Sequence, residues 1–308
     1  MDKVDATAAV LAVSRDGKLL VTRGYGFRDR GKIAPTPTDA LFRVASITKP
    51  FTAAAVRELV RQKKLALDVH ALETIDPAIV PHKLGDERAR QITIAQLLTH
   101  RAGWDRAATF DPVFKPRDVG RALQIDRDVT PRDLLTWMLG KELQFTPGER
   151  EAYSNLGYCM LGRVLEARTG RRTYFEALQD LVLRPAGLDD VRLAATDRRD
   201  RREVWYSFTE SAPRMEVLDA CAGLVASAPA LCRFMDRFWL SGEPRAAGQR
   251  QQWYFFGSLS GTMAMARQHI DGWNVAVLLN RRRDHDHDAD EKALQAAVDA
   301  ALEARSKK

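Results

Sequence analysis

Strand patterns occur at both ends of the chain, and helix patterns fill its middle. At the start, Ala8–Val13 and Leu19–Tyr25 flank the turn RDGK, which is typical of a β-hairpin. Near the other end, similar apolar runs occupy Trp253–Phe256, Thr262–Arg267 and Trp273–Leu279. Because both chain ends supply strands, the pattern predicts one antiparallel sheet with a helical region inserted between its halves.

Capping signals mark the helices of the middle. The signals are Thr93 with Gln96, Thr130 before Pro131, Thr173 with Glu176, Ser227 before an apolar run, and Gly170 after the amphipathic stretch Asn155–Thr169. A last helix is predicted over Asp290–Arg305. We therefore expect an α/β (α+β) domain from residues 1–70 and 206–308, and a mainly helical domain from residues 71–205.

Composition and charge indicate an ordinary globular protein and give little support to nucleic-acid binding. With 308 residues, 45% of them hydrophobic and 29% charged, the chain can bury the core of one large domain or two intimate ones. The net charge of +7 raises nucleic-acid binding as a hypothesis. The basic residues are spread along the chain and no nucleic-acid motif accompanies them. We expect no nucleic-acid partner, and a cationic surface that modestly favours anionic substrates.

The sequence also bears on the cellular compartment and on the state of the cysteines. No apolar run approaches the ~18 residues of a membrane span, and the start lacks a charged-then-apolar secretory pattern. The compartment stays open between the cytoplasm, from the missing secretory pattern, and the periplasm, if a leader has been removed. Cys159, Cys221 and Cys232 lack CxxC spacing and lie in apolar contexts, which predicts buried free thiols.

The stretch ASITKPF carries the first chemical signal. It puts the Ser46 hydroxyl three residues before the Lys49 amine, and positions i and i+3 share one face of a helix. Pro50 fits the first turn of a helix, so Ser46 is expected near that helix N-terminus with Lys49 beside it. By itself the spacing also fits a surface serine and a solvated lysine.

A second signal lies in FTPGEREAYSNLGY. Tyr153 and Asn155 flank Ser154 just before a long helix, so in an extended segment their side chains can point the same way. The alternative is a packed tyrosine and an asparagine N-cap.

Four stretches in order, FRVASITKPFTAAAVRELV, ITIAQLLTHRAGW, FTPGEREAYSNLGYCMLGRVLE and AGLVASAPALCRF, resemble one family. The chain is similar to serine hydrolases that include class C β-lactamases, D-alanyl-D-alanine carboxypeptidases, D-aminopeptidases and β-lactamase-like esterases. The S-x-x-K motif of penicillin-recognising enzymes corresponds here to Ser46 and Lys49. The resemblance extends from about Ala8 to the last helix. It implies a β-lactamase/transpeptidase-like fold with the active site between an α/β and an all-α domain.

The resemblance also implies roles. A serine hydroxyl needs a base, and a lysine can be that base only when neutral. Lys49 is expected to activate Ser46, and Tyr153 to pass the proton to the leaving group and assist deacylation. Since two such groups titrate together, which one removes the serine proton stays open. Asn155 is expected to hold the acyl-side carbonyl of the substrate.

The third family motif departs from its usual form. Members carry K-T-G or H-x-G there, whereas this chain has WYFFGSLSGT, with Phe255 at the Lys or His position and Ser260 at a common proline position. Gly257 matches the motif glycine, and the Ser258 N–H is expected to complete an oxyanion hole. Phe255 argues against efficient β-lactam or D-Ala-D-Ala hydrolysis and leaves room for an apolar group. Arg250 or Arg267 is an alternative source of positive charge.

Weaker candidates have plainer interpretations. DHDHD (Asp284–Asp288) is interpreted as a solvated turn before a helix rather than a metal site, His100 as a hydrogen-bonded packing residue and Ser227 as an N-cap. Trp104 either lines the active-site cleft or packs.

The sequence therefore predicts a serine hydrolase acting on a small-molecule carboxylic ester or small amide through a Ser46 acyl-enzyme, without cofactor or metal. The alternatives are a β-lactamase or D-Ala-D-Ala carboxypeptidase/D-aminopeptidase, an acyl transferase, and a non-catalytic binding member of the family.

Overall fold

The computed structural model describes residues 6–207, 214–246, 248–283 and 286–306. Its strands are β1 (Ala8–Arg15), β2 (Lys18–Gly26), β3 (Phe42–Arg43), β4 (Val191–Leu193), β5 (Leu224–Ala226), β6 (Trp253–Leu259), β7 (Thr262–Gln268) and β8 (Trp273–Leu279). Its α-helices are α1 (Thr48–Arg61), α2 (Ile94–Leu98), α3 (Pro116–Leu123), α4 (Pro131–Leu139), α5 (Asn155–Thr169), α6 (Tyr174–Leu178), α7 (Arg184–Ala186), α8 (Asp219–Ala222), α9 (Ala228–Arg237) and α10 (His287–Ser306). Several 3₁₀ turns connect them, and one at Ala45–Ile47 runs directly into α1.

The two chain ends build one antiparallel sheet, as predicted. Its strand order is β2-β1-β8-β7-β6, so the first and last parts of the chain meet where β1 pairs with β8. Each predicted strand is present, and four of the five extend one or more residues beyond the predicted bounds. The short turns at Asp16-Gly17 and Asp271-Gly272 join neighbouring strands because both glycines have positive φ, of 77° and 86°.

The sheet buries its two faces under different helices. On one face, Met263, Met265 and Val277 form a core cluster with Leu302 of α10. On the other face, α9 packs against β1 and β8, and its Asp236 accepts hydrogen bonds from Ser14 and Asn274. Strands β7 and β8 are buried on both faces, apart from the half-buried Trp273, whereas the edge strand β2 is exposed along most of its length.

A small second sheet, of order β3-β5-β4, was not predicted from the sequence. Its strands are two or three residues long, which is too short for an alternating pattern to register. It matters for the site because β3 ends at Arg43, three residues before Ser46.

The helices of the middle pack around α5. That helix is buried continuously from Asn155 to Glu166, and it contacts α2, α4, α6 and α8. Thr93 and Thr173 cap their helices as predicted, each with a capping box. Thr130 is the predicted N-cap before Pro131, and its capping box with Asp133 was not predicted. Gly170 ends α5 with a φ of 66°. Local chemistry thus located the ends of these helices correctly.

The chain divides into two compact units. The sheet unit comprises Met1–Pro50, Leu183–Pro213 and Leu224–Lys308, and the helical unit comprises Phe51–Val182 and Arg214–Gly223. The predicted α/β domain of residues 1–70 and 206–308 is likewise discontinuous, but its boundaries remain a prediction. The units assign residues 51–70 to the helical part and residues 183–205 to the sheet part.

Two further expectations concern the cysteines and the possibility of a membrane-spanning helix. Cys159, Cys221 and Cys232 are buried free thiols, which confirms the sequence interpretation. In the part of the chain that the structure describes, the helices are too short or too polar to cross a membrane.

Candidate active site

Ser46 lies on a tight turn between β3 and α1. The 3₁₀ turn Ala45–Ile47 begins with Ala45 at a φ of 47°, a left-handed conformation that is uncommon for a residue other than glycine. Ser46 is partly exposed, while Ala45 and Ile47 are fully buried. The turn is held by its buried neighbours and leaves the serine accessible, which is the arrangement a nucleophile needs. Strained backbone of this kind clusters at functional sites.

Lys49 follows in the first turn of α1, with its amine close to the serine hydroxyl. The Lys49 Nζ donates to Ser46 Oγ across 3.4 Å, and the Lys49 residue is 1% exposed. Pro50 lies in the same first turn, where a missing N–H is tolerated, as predicted. A buried amine within hydrogen-bonding distance of a partly exposed hydroxyl is the geometry of a serine activated by an adjacent base.

Strand β6 packs its backbone directly against this turn at Gly257. A Cβ on Gly257 would lie 1.9 Å from the Val44 carbonyl oxygen and 3.2 Å from the Ile47 nitrogen, so only glycine fits. Ser258 is the next residue on the strand, and Phe255, two residues earlier, shares the Gly257 face. Phe255 is partly exposed and pairs with Ala266 of β7. Gly257 therefore contacts the Ser46 turn within the sheet unit, and Phe255 and Ser258 are its near neighbours along the same strand.

Two threonine hydroxyls fix the turn from either end. Thr262 Oγ1 donates to the Arg43 carbonyl across 2.8 Å, just before the turn. Thr48 Oγ1, just after it, accepts from the Leu224 N–H across 3.2 Å. Thr262 is the last residue of the stretch WYFFGSLSGT, which the sequence matches to the third family motif.

A buried ion pair close in sequence to the Ser46 turn was not predicted from the sequence. Arg43 pairs with Glu203 across 3.2 Å, and both side chains are at most 2% exposed. Arg43 also donates its backbone N–H to the Tyr206 hydroxyl. Burial raises the pKa of the Glu203 carboxyl, and the Arg43 charge opposes that rise. No local signal could have revealed a pair that is 160 residues apart in the chain.

The alternative cations proposed from the sequence do not face this turn. Arg267 is buried on the α10 face of the sheet, where its Nε donates to Asp299 across 2.8 Å. Arg250 instead pairs with Asp16 at the β1–β2 turn. Both pairs make these arginines weaker candidates for the positive charge, and the alternative stays a prediction.

The YSN segment, Tyr153 to Asn155, starts α5 in the helical unit. Ser154 is the N-cap, since its Oγ accepts from the Gly157 N–H across 3.2 Å. Asn155 is the first helical residue, so the alternative interpretation of an asparagine N-cap is wrong. The capping role falls to the serine, which leaves the Asn155 side chain for other contacts.

Tyr153 lies between a histidine ring and a guanidinium. Its ring centroid is 4.6 Å from that of His100, and the Arg106 guanidinium carbon lies 4.5 Å from the Tyr153 ring centre. His100 Nδ1 accepts the Ser154 N–H across 3.2 Å, and its ring also packs on Tyr158. The predicted packing role of His100 is confirmed.

Asn155 is held by an acid that the sequence reasoning missed. Its Nδ2 donates to Asp111 Oδ2 across 2.6 Å, and Asp111 in turn lies 3.6 Å from Arg106. Asp111 precedes Pro112 and caps a 3₁₀ turn, so the Asp-Pro pair was a visible turn signal. Nothing local shows that the same carboxylate contacts Asn155, 44 residues later.

The structure places the weaker candidates, Ser227, Trp104 and the DHDHD stretch, in three different settings. Ser227 is the N-cap of α9, as expected. Trp104 is buried and lines a small pocket together with Asn155 in the helical unit. In the DHDHD stretch, Asp284 and His285 lie outside the described residues, while α10 begins at His287. Across the described ranges, no group of three His, Cys, Asp or Glu side chains is arranged to hold a metal ion.

Comparison with known families decides the assignment. The Beta-lactamase family model matches residues 1–278. The chain belongs to the Beta-lactamase family. It is similar to esterase EstB of Burkholderia gladioli, with 35% identity over 185 residues that cover 59% of this chain and 46% of that protein. The beta-lactamase-family chain thus spans about half the length of this curated relative.

Solved structures show the same fold. D-amino acid amidase from Ochrobactrum anthropi SV3 superposes with a TM-score of 0.75 at 17% identity, covering 97% of this chain and 95% of that one. The octameric penicillin-binding protein homologue from Pyrococcus abyssi gives a TM-score of 0.71 at 20% identity, covering 91% and 71%. The predicted β-lactamase/transpeptidase-like fold and the family resemblance are confirmed.

Proposed function

We propose that this protein hydrolyses a carboxylic ester or a small amide through an acyl-enzyme on Ser46, with esters preferred. The observation that carries the proposal is the 3.4 Å contact between the buried Lys49 amine and the partly exposed Ser46 hydroxyl. A neutral amine at this distance can accept the serine proton as Oγ attacks a carbonyl carbon.

The negative charge that develops on the substrate oxygen needs hydrogen-bond donors. The backbone N–H groups of Ser46 and Ser258 are assigned this role. The close approach of Gly257 to Val44 supports the assignment, because it brings the two stretches of backbone into contact. When substrate binds, it displaces water from these two N–H groups, which then donate to the oxyanion of the tetrahedral intermediate.

Tyr153 and Asn155 are assigned to the leaving group and the acyl chain. In the first step, the proton taken from Ser46 passes through Tyr153 to the departing alkoxide or amine. In the second, Tyr153 helps a water molecule attack the acyl-enzyme, which releases the acid and restores Ser46. Asn155 binds the acyl-side carbonyl, with its orientation fixed by Asp111.

Two observations favour esters over β-lactams and peptides ending in a carboxylate. By its sequence resemblance, Phe255 matches the position of the family lysine or histidine, and an aromatic ring cannot pair with a carboxylate. Arg250 and Arg267, the substitutes considered, are paired with other acids. The similarity to a protein named as an esterase supports the same choice. β-Lactamase, D-Ala-D-Ala carboxypeptidase and D-aminopeptidase activity are the weaker alternatives.

A non-catalytic binding role is the alternative of a different class. It would explain why Phe255 stands at the position of the family lysine or histidine. It does not explain why the contact between Ser46 and Lys49 is retained. The absence of a nucleic-acid partner stays a prediction.

Hydrolysis of p-nitrophenyl acetate and butyrate tests the proposal. We expect turnover by the wild type, none above background by Ser46→Ala, and wild-type rates for the control Ser241→Ala. Intact-mass measurement during turnover should detect an acyl adduct only when Ser46 is present. Equal rates in the wild type and Ser46→Ala, or no ester turnover at all, would reject esterase chemistry at this serine, and amides and β-lactams would then be assayed.

A further inference from the structure

Two of the three cysteines meet where α5 packs against α8 in the helical unit. Cys159 of α5 and Cys221 of α8 are both fully buried, and their thiols are in hydrogen-bonding contact. The Cys159 sulfur also lies 4.0 Å from the Val217 carbonyl oxygen, just before α8. Cys232 belongs to the sheet unit, where its sulfur lies 4.0 Å from the Asn274 carbonyl oxygen. The helical unit therefore contains a pair of thiols in contact, and Cys232 supplies an equally buried thiol for comparison.

The backbones of α5 and α8 approach closely enough for a covalent bridge. One turn after Cys159, a Cβ on Gly162 would lie 2.7 Å from the Cβ of Ala220, which is the neighbour of Cys221. A disulfide needs two Cβ atoms about 3.5–4.5 Å apart and a sulfur–sulfur distance of about 2 Å. Because the two thiols are already in contact, small rotations about their Cα–Cβ bonds bring the sulfurs to that distance.

The surroundings of the pair make it slow to react but not inert. The hydrogen bond with Cys221 and burial both raise the pKa of the Cys159 thiol, so the folded protein contains little of its reactive thiolate. Helix α8 has four residues, and a helix this short is stabilised by packing rather than by its own hydrogen bonds. Local opening of α8 is therefore expected to admit a small oxidant without unfolding of the whole unit.

The pair also connects two stretches of chain that are far apart in sequence. The helical unit consists of Phe51–Val182, which contains Cys159, and of a returning segment, Arg214–Gly223, which contains Cys221. A bond between the two cysteines would close a loop of about 60 residues. A loop of that length restricts the unfolded chain strongly, so its closure favours the folded state.

We propose that Cys159 and Cys221 are a modification site that forms an intramolecular disulfide with a peroxide as oxidant, and that this bond fixes the returning segment to α5. One thiol attacks a peroxide oxygen, which gives a sulfenic acid and, from hydrogen peroxide, one water molecule. The other thiol attacks the sulfenic sulfur, forms the S–S bond and releases a second water. The two thiols thus lose two electrons and two protons, and both peroxide oxygens leave as water. A dithiol reductant reverses the bond.

Peptide mapping of the oxidised protein tests the bridge. Trypsin leaves Cys221 and Cys232 in one peptide, so the variant Cys232→Ala is used. The folded protein is treated with hydrogen peroxide, and the remaining thiols are then blocked with iodoacetamide in urea. We expect the tryptic peptides 151–163 and 215–233 to be joined, with a mass two hydrogens below the sum of the two, and dithiothreitol should separate them.

Thermal unfolding measures how firmly the bond fixes the returning segment. Oxidised Cys232→Ala should melt about 5–10 °C above its reduced form, as expected for a loop of this length in a chain of this size. The matched controls Cys159→Ala and Cys221→Ala should melt at the same temperature with and without peroxide treatment. If Cys232→Ala does not fold, chymotrypsin, which cuts between Cys221 and Cys232 at Leu224 and Leu231, allows the wild type to be mapped instead.

Cysteines that stay unbridged would overturn the inference. This result would appear as Cys159 and Cys221 both carrying the iodoacetamide label, or as each oxidised separately to a sulfinic acid. A joined pair of peptides with an unchanged melting temperature would show that the bond does not fix the returning segment. Ester turnover plays no part in these measurements, so a failure of the proposed function at Ser46 would leave the inference standing.

Discussion

The Ser46 turn and the YSN segment present their side chains by different means. The turn is fixed by backbone contacts: a left-handed Ala45, the close approach of Gly257, and threonine hydroxyls at both ends. The YSN segment is fixed by side chains, with Tyr153 between His100 and Arg106. Backbone contacts allow almost no adjustment, whereas side-chain contacts can be weakened in steps. Substitutions should therefore act nearly all-or-none at the turn and by degrees at the segment.

The largest effect is expected at Lys49. Lys49→Met keeps the length of the side chain and removes the base, so ester kcat/KM should fall at least about a thousandfold. Lys49→Arg should fall similarly, because a guanidinium does not deprotonate. Steady-state kinetics gives the rates, and circular dichroism checks the fold. Substantial activity in either folded variant would exclude this amine as the required base.

The packing of β6 on the turn is tested at Gly257. Gly257→Ala places a methyl group 1.9 Å from the Val44 oxygen, so the turn or the strand must move. We expect about 1–3 kcal/mol of destabilisation and about a hundredfold lower kcat/KM. Urea unfolding and kinetics measure the two. Gly140→Ala, whose new Cβ would have its nearest contact at 3.4 Å, is the control and should be close to wild type.

A graded effect is expected at Asp111. Asp111→Asn keeps the shape but loses the charge that accepts from Asn155, so kcat/KM should fall about tenfold while the fold persists. A double-mutant cycle with Asn155→Ala should show that the two losses are not additive. Asp118→Asn, an exposed acid paired with Arg121, is the matched control. Additive losses would mean that Asp111 does not act through Asn155.

The smallest effect concerns acid stability of the helical unit. The Arg88 guanidinium and the N–H groups of Arg88 and Leu143 lower the pKa of Asp86 from 3.8 to about 2. Because the folded value is below the unfolded one, the stabilisation is complete above about pH 4 and is lost as the pH falls towards 2. Asp86→Asn should therefore lower the free energy of unfolding by about 1–2 kcal/mol at pH 6 and flatten its dependence on pH below 4.

Urea unfolding at several pH values measures this difference. Glu87→Gln, a neighbouring exposed residue, should leave the profile unchanged. If Asp86→Asn and the wild type lose stability in parallel between pH 4 and 2, the carboxylate is not what makes the unit sensitive to acid.

The elements predicted correctly are those with a strong local signal. Alternation and tight turns located the five long strands, and capping residues located the starts of α2, α4 and α6. The elements that were not predicted, β3 to β5, are too short to show an alternating sequence pattern. They are strands because their backbones pair with one another. Burial, rather than propensity, stabilises such short strands.

The sequence by itself determined the Ser46–Lys49 pair, because three residues of helix bring two side chains onto one face. It also determined the family and the glycine that the third motif needs. Only the tertiary structure decided that Arg250 and Arg267 are committed to other acids, and that Asp111 holds Asn155. The physical reason is distance along the chain: contacts within one helical turn follow from spacing, whereas contacts between residues tens of positions apart depend on how the whole unit packs.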